Sequence, residues 1–321
     1  MHMRASPACA LVSRPCSGVE TNEAMSRKRL RSNTLGYFFV LPTVLVILVF
    51  IGYPVASGIN DSLKDIYLVS GSEPKYVGFE NFRDLFSDPI FYGAVKNSFI
   101  FVITSVTFHL VLGFALALAL DKTGFGRLFF RTVNLMPWAM SGVAVALIWM
   151  WLYHPQLSPI NDFLKRLGII NKDLIFLSTP RVAMVSVLVA HNWRTFPFAF
   201  IVLLSGLQTI PKELYEAGDI DGASGFQKFT RITVPQMLSI VLTVVLLDFV
   251  WTFVYFDLPW VMTRGGPVNS THLMTTYVYE LAFRFYKFGK ASALSVLILL
   301  INLVFSIFYI HFSKKAEGLN G

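Results

Sequence analysis

Glu216-Ala217-Gly218-Asp219-Ile220-Asp221-Gly222-Ala223, running on through Ser224-Gly225-Phe226-Gln227-Lys228-Phe229 to Ile232 and Pro235, is a polar island between two apolar segments. Leu214, Tyr215, Ala217, Ile220 and Ala223 recur at roughly helical spacing, with Glu216, Asp219 and Asp221 between them. That pattern predicts a short amphipathic helix with one face to offer a partner. Asp221-Gly222 breaks it, since Gly takes the positive φ of a tight reversal, and Ser224 is placed to cap a second helix. The island reads as helix, turn, helix. Glu216 falls in the second half of the first helix, where a carboxylate gains nothing from the helix dipole. A contact to a basic group on a partner explains it better.

The flanks of the island set the class. The chain has 321 residues, of which 55% are hydrophobic and 14% charged, and a mean hydropathy of +0.59. No single soluble core of ordinary composition hides that much apolar surface, so the chain is expected in a bilayer. Its net charge of +8 comes from basic residues scattered through short loops, not from a stripe. Membrane orientation accounts for them without a nucleic-acid partner. Cys9 and Cys16 both precede the first apolar run, so no disulfide framework or metal cluster is readable.

Runs at 32–60, 97–120, 132–164 and 291–313, free of charge except for Asp162 near the end of the third, each hold enough apolar residues to cross a bilayer. Two more, 182–207 and 236–258, flank the island and are interrupted by Arg194 and Asp248. The expectation is an all-α membrane protein with six transmembrane helices. Residues 1–31 read as a disordered, basic amino-terminal segment, dispensable up to the alternative start at Met25, and 32–321 as the membrane domain with its loop at 208–235. With both termini cytoplasmic, segments 26–33, 121–131, 208–235 and 314–321 hold twelve Lys and Arg, against ten in the longer external segments 58–93, 154–181 and 259–288. The density of basic charge favours that orientation. In the first external segment Phe79, Phe82 and Phe86 share a helical face, as in a helix lying on the bilayer or one docking a partner.

Ionisable residues at mid-membrane mark functional positions. Arg194 has His191, Asn192, Trp193 and Thr195 beside it, and Asp248 shares its predicted face with Trp251, Thr252 and Tyr255. Carboxylate, hydroxyls and aromatic planes together suit a sugar, which offers hydroxyls to hydrogen-bond and C–H faces to stack. The alternative is structural, with Arg194 paired to Asp248 and the aromatics packed between helices. His109 stands alone and reads as a structural hydrogen-bonding residue, while Asn302 and Ser306, four apart, read as contacts between helices. No G-x-x-x-x-G-K-[ST] stretch occurs, so the chain has no phosphate cradle of its own.

Glu216-Ala217-Gly218, Gly222, Ile232 and Val234-Pro235, at these spacings, resemble the EAA loop of ABC importer permeases. Gly218 stands where a second Ala is usual and Val234 where Leu is common. In that family the loop is a cytoplasmic coupling helix that docks into the ATP-hydrolysing subunit, which implies coupling roles for Glu216, Ala217, Gly218, Asp221, Gly222, Ala223, Ile232 and Pro235. The runs Trp193 to Phe198, Leu207 to Ala217 and Asp248 to Phe253, followed by Gly265-Gly266-Pro267, are similar to those of carbohydrate-uptake permeases related to the maltose system. The resemblance implies a type I ABC importer permease fold in a bacterial inner membrane. Its implied partners are a second homologous permease, two ATP-binding subunits that carry ATP and magnesium, and an external sugar-binding protein. No cofactor is expected on this chain, and no enzymatic activity. The cargo would be an oligosaccharide, glycoside or polyol, with a glycerol-phosphate-type cargo as an alternative. An ion-coupled secondary transporter with Arg194 and Asp248 as a relay is the rival from another class, and it predicts inverted repeats that are not evident.

Overall fold

A computed structural model describes residues 39–67, 69, 73–121 and 127–317. The expectations for residues 1–31, and for parts of the 32–60 and 121–131 segments, therefore lie outside the described residues. The first helix, α1 (Phe39–Ser62), is long and apolar enough to cross a bilayer, with a π turn at Leu48–Gly52. Its large side chains are exposed over most of its length, as suits a helix whose solvent is lipid.

From Gly58 onward the chain forms one body. A two-residue ribbon, β1 (Lys64–Asp65) with β2 (Lys75–Tyr76), leads into α2 (Glu80–Phe86). Asn81 fastens the ribbon by donating from Nδ2 to the carbonyls of Ser62 and Lys64, both at 2.9 Å. Phe79 and Phe86 are exposed while Phe82 packs on the core, so the three aromatics do not form one free face. Then come α3 (Pro89–Asp121), α4 (Arg127–Ala139), α5 (Gly142–Leu152), α6 (Pro159–Arg166) and α7 (Pro180–Leu207). The island contributes α8 (Lys212–Ile220), after which α9 runs over Gly225–Phe253. Short helices α10 (Asp257–Thr263) and α11 (Met274–Tyr279) precede the long α12 (Phe288–Glu317).

The expected span at 132–164 is corrected. Its helices α4 and α5 meet at a 95° bend, and α6 is a separate element. Pro137 removes a backbone donor inside α4, and Ser141 is extended (φ −60°, ψ 138°) ahead of Gly142, so the helical ladder cannot continue. Among the described residues five helices are long and apolar enough to cross a membrane, six if the bent pair is one span. The other boundaries move outward: α3 begins at Pro89 and α9 at Gly225, eight and eleven residues before the apolar runs, because polar turns continue the same helices. The fifth run ends early, at Phe253, with its last residues turning into α10.

Three apolar clusters hold this body together. Phe91, Val102, Phe249, Phe253, Met274 and Leu294 join α3, α9, α11 and α12. Phe101, Val145, Val187, Leu188 and Leu258 join α3, α5, α7 and α10. Ala117, Phe200, Leu203, Met237 and Val244 join α3, α7 and α9 towards the island. Helices α3 and α7 meet closely, and a Cβ on Gly113 would lie 3.1 Å from the backbone N of Phe200; small residues permit such approach in membrane bundles. Asn302 and Ser306 do not bridge helices as expected. Asn302 Nδ2 donates to Ile298 O (3.0 Å) and Ser306 Oγ to Asn302 O (2.8 Å), both within α12.

At the end of α9 opposite the island, α10, α11 and the turn after them build a polar knot. His272 Nε2 lies 2.8 Å from Glu280 Oε2, and Arg284 Nη1 donates to Glu280 Oε1 at 2.6 Å. Burial lowers the His272 pKa, while Glu280 pulls it back up.

Candidate functional site

The island folds as a self-contained helix, turn and helix. Helix α8 ends in a Schellman motif, in which Ala223 N–H donates to Gly218 O (2.8 Å) and Gly222 N–H to Asp219 O (3.1 Å). Gly222 occupies the left-handed position at φ +70°. Ser224 then caps α9 in a capping box: its Oγ accepts from Gln227 N–H (3.3 Å) and its own N–H donates to Gln227 Oε1 (2.7 Å). Two side-chain bonds tie α8 to the start of α9, Lys228 Nζ to Asp219 Oδ1 at 2.5 Å and Tyr215 Oη with Thr233 Oγ1 at 2.9 Å. Gly218 has a packing reason, since a Cβ there would stand 3.2 Å from Ile232 Cδ1. Ile232 lies in a π turn, Phe229–Thr233, through which α9 passes on to Pro235.

What this assembly presents outward is unusual for a polar loop. Ile220 is 88% exposed and Phe226 75%, and Leu214 is exposed beside them. Glu216, Ala217, Asp221 and Gly222 are exposed too, while Gly218, Ala223 and Ile232 are half-buried at the base. Glu216 sits in the middle turn of α8 rather than near its end, and makes no ion pair among the described residues. A rigid two-helix tip with apolar side chains and a free carboxylate has the composition of a docking element.

The mid-membrane residues are brought together, but not in the pairs expected. Asp248 does not pair with Arg194. Its Oδ2 lies 2.8 Å from His109 Nδ1 on α3, and its Oδ1 accepts from Thr252 Oγ1 at 3.3 Å. His109 Nε2 in turn lies 3.0 Å from Thr195 Oγ1, so His109 is the centre of a chain through α3, α7 and α9 and does not stand alone. Asp248, Thr252 and His109 are all buried. His191 and Asn192 are buried beside them; both ring nitrogens of His191, Asn192 Oδ1 and Ser105 Oγ have no hydrogen-bond partner among the described residues. His191 is wedged between Phe101 and Tyr255, with ring centres 4.7 and 4.5 Å away.

Arg194 solves a different problem. The break between α4 and α5 leaves the Met140 carbonyl outside any helical ladder, and Arg194 Nε donates to it at 3.0 Å. Arg194 Nη1 also donates to Tyr255 Oη at 3.2 Å. No carboxylate lies within ion-pair distance of this half-buried guanidinium among the described residues. The expected common face of Asp248, Trp251, Thr252 and Tyr255 is corrected: α9 ends at Phe253, Tyr255 lies beyond it, and Trp251 is exposed while Asp248 and Thr252 point inward. Sequence reasoning missed Asp257. A methyl on Gly142 would stand 3.2 Å from both Tyr255 Oη and Asp257 Oδ2, so these oxygens converge over the start of α5. Asp257 is the second-last residue of the run at 236–258, where an acidic side chain reads as the edge of a span, which hid it.

No set of three or more His, Cys, Asp or Glu able to hold a metal occurs among the described residues. Residues 109–318 match the family described as the binding-protein-dependent transport system inner membrane component. A probable ABC transporter permease protein of Brucella suis is 34% identical over 288 residues, covering 90% of this chain and 99% of that protein. The trehalose/maltose transport system permease protein of Thermococcus litoralis is 34% identical over 293 residues, covering 90% and 97%. The sulfoquinovosyl glycerol transport system permease protein of Agrobacterium fabrum is 31% identical over 281 residues, covering 88% and 91%. A chain in the crystal structure of a bacterial ABC transporter involved in import of the acidic polysaccharide alginate superposes with a TM-score of 0.76 at 23% identity, covering 91% of this chain and 99% of that one. With apolar helices sufficient for several spans and near end-to-end similarity to such proteins, the chain belongs to the binding-protein-dependent transport system inner membrane component family.

Proposed function

We propose that this chain is the membrane-spanning permease subunit of a binding-protein-dependent ABC importer that carries a sugar, glycoside or polyol inward. The observation that carries the reading is the α8 tip: a locally rigid, exposed helix whose apolar side chains and free Glu216 have no use in an isolated chain. It would dock into an ATP-binding subunit and face the cytoplasm, with both termini on that side and the bent α4–α5 pair counted as the third of six spans. The remaining partners would be a second homologous permease, a second ATP-binding subunit and an external sugar-binding protein; ATP and magnesium would belong to the ATP-binding subunits. Transport then follows from shifts between two accessible states: the loaded binding protein docks outside, ATP closes its subunits, and the coupling helices are drawn together. Glu216, Ala217, Gly218, Asp221, Gly222, Ala223, Ile232 and Pro235 would serve coupling, and His191, Asn192, Arg194, Asp248, Trp251, Thr252 and Tyr255 the cargo path.

The sugar class draws support from relatives named for trehalose and maltose and for sulfoquinovosyl glycerol, and the glycerol-phosphate alternative from one named for sn-glycerol 3-phosphate. Thr195, His109 and Asp248 do line up as hydroxyl, imidazole and carboxylate, but the hydroxyl donates to the His191 carbonyl and the imidazole and carboxylate are buried, which gives a membrane enzyme little support; the bond from Asp248 to His109 likewise weakens an Arg194–Asp248 relay. The test is uptake into proteoliposomes by the complex that co-purifies with this chain, using the sugar that raises the melting temperature of its binding protein. Uptake is expected to require internal ATP and the binding protein and to survive collapse of proton and sodium gradients. Uptake that follows an ion gradient without ATP would sink the reading.

A further inference from the structure

The segment between α5 and α7 folds as a braced foot with an apolar overhang. Ser158 caps α6 by accepting from Asn161 N–H (3.1 Å), and the buried Asn161 exchanges two bonds with the main chain of Leu174, both at 3.1 Å. Lys165 Nζ closes the same loop on Asp173 Oδ1 at 2.7 Å. With about 3.6 residues per turn, Ile160, Phe163, Leu164 and Leu167 fall on one side of α6 and Asp162, Lys165 and Arg166 on the other. The body covers only part of the apolar side. Ile160 packs on the core and Leu164 is half-buried, whereas Phe163 is 61% exposed and Leu167 56%.

The foot hangs beside a span and does not stand above it. Tyr153 and Phe176, at its two ends, stack with ring centres 4.6 Å apart, and both reach Ser186 on α7. Tyr153 Oη donates to Ser186 O (3.2 Å), and Ser186 Oγ lies 3.4 Å from Phe176 O. Helix α7 has 28 residues, so it is about 42 Å long against a hydrocarbon core of about 30 Å, and a centred α7 protrudes by roughly 6 Å at each end. Ser186, about 9 Å along α7 from Pro180, therefore marks the edge of the hydrocarbon.

We propose that α6 is a lipid-binding interfacial helix, resting in the headgroup layer with Phe163 and Leu167 in the acyl boundary and Arg166 and Arg181 against lipid phosphates. The inference depends on neither cargo nor coupling, and it holds whichever way the chain threads the bilayer. A helix held at the edge of the hydrocarbon, with an apolar side wider than the body beneath it, completes its burial in lipid. The overhang adjoins the side that rests on the body, so a protein arriving from water meets Asp162, Lys165 and Arg166 first. The cations fit the same layer. Arg166 flanks the overhang one turn from Phe163, and Arg181 stands in the first turn of α7, where a cation opposes the helix dipole. Both are exposed, and neither makes an ion pair among the described residues. A lipid phosphate supplies the missing partner.

The test uses the co-purified complex in phospholipid nanodiscs, with Cys9 and Cys16 replaced by Ser. Phe163→Cys, Leu167→Cys and Asp162→Cys are each labelled with an environment-sensitive nitrobenzoxadiazole dye. At 163 and 167 the emission is expected to shift to the blue and to be quenched by doxyl-labelled lipid but not by aqueous iodide. At 162, one residue away on the polar side, iodide should quench and the lipid should not. The three positions share one short helix and its cap, so the contrast reads placement and not folding. Iodide quenching as strong at 163 and 167 as at 162 would overturn the proposal. A blue shift that appears only when the external binding protein is added would also overturn it, by assigning the overhang to protein docking. For the cations, nanodiscs of phosphatidylcholine are compared with nanodiscs that also contain phosphatidylglycerol. The melting temperature of the complex is expected to rise with the anionic lipid, and the double variant Arg166→Gln, Arg181→Gln to lose that rise while keeping the dye contrast. A rise undiminished in the double variant would refute the phosphate contacts.

Discussion

The buried carboxylate of Asp248 owes its stability to His109, and the size of that debt can be measured. Both groups are almost wholly buried and 2.8 Å apart. Removing one partner strands the other in low dielectric, at a cost of about 3 to 5 kcal/mol. Asp248→Leu and His109→Leu are therefore each expected to lower the thermal stability of the detergent-solubilised complex sharply. The double variant should cost much less than the sum of the two, a coupling that a double-mutant cycle reads directly. Exchanging Arg194 and Asp248 is expected to rescue neither single loss, because Arg194 bonds a carbonyl and a phenol instead. Rescue by the exchange would mean that the two charges meet in some working state. Little of this was legible in the chain. That Arg194 and Asp248 matter could be read from hydropathy alone, but Asp248 finds its partner 139 residues away. Arg194 bonds a main-chain carbonyl, a group that every residue owns and that leaves no trace in a sequence.

At the scale of the element, the α8 tip was legible almost completely, because each device that shapes it lies within about twenty residues and acts through the backbone. Gly222, Ser224 and Gln227 are all named by their residue types as turn and cap. The broken span was misread for the opposite reason: Pro137 and Ser141-Gly142 were visible, but whether they end a helix depends on what captures the freed carbonyl. The tip makes a sharp prediction. At φ +70° a residue with a Cβ costs about 1 to 2 kcal/mol, and Asn pays less because it visits the left-handed region readily. Space is no obstacle, since nothing lies within 4 Å of a Cβ there. Gly222→Val is expected to leave membrane insertion and permease pairing intact but to misaim α8 and reduce sugar-stimulated ATP hydrolysis, with Gly222→Asn close to wild type. Equal stimulation in Val, Asn and Gly proteins would show that the angle of α8 is not what couples. Glu216→Lys addresses the docking contact instead of the angle. It is expected to leave the fold unchanged by circular dichroism and to reduce the ATP-binding subunit retained on purification.

For the whole molecule the decisive question is which way the chain threads the bilayer, because the coupling role proposed for α8 and the proposed capture of cargo at the far end both depend on it. Basic residues favour a cytoplasmic island only by density, and the effect of each is modest. Helix α9 supplies a stronger ruler. It is 29 residues long and apolar enough to span, so its start and its end emerge on opposite sides. Phe226, 75% exposed at its beginning, and Val268, 89% exposed in the loop between α10 and α11, are therefore expected in different compartments. In a background with Cys9 and Cys16 replaced by Ser, Val268→Cys in intact cells should react with a membrane-impermeant maleimide. Phe226→Cys should react only after the membrane is opened or inverted. If the two cysteines reacted from the same side, α9 would not cross the membrane and the six-span topology would fail. If Phe226→Cys reacted from outside and Val268→Cys from within, the span would stand but α8 could not reach a cytoplasmic ATP-binding subunit, and the importer mechanism would have to be abandoned.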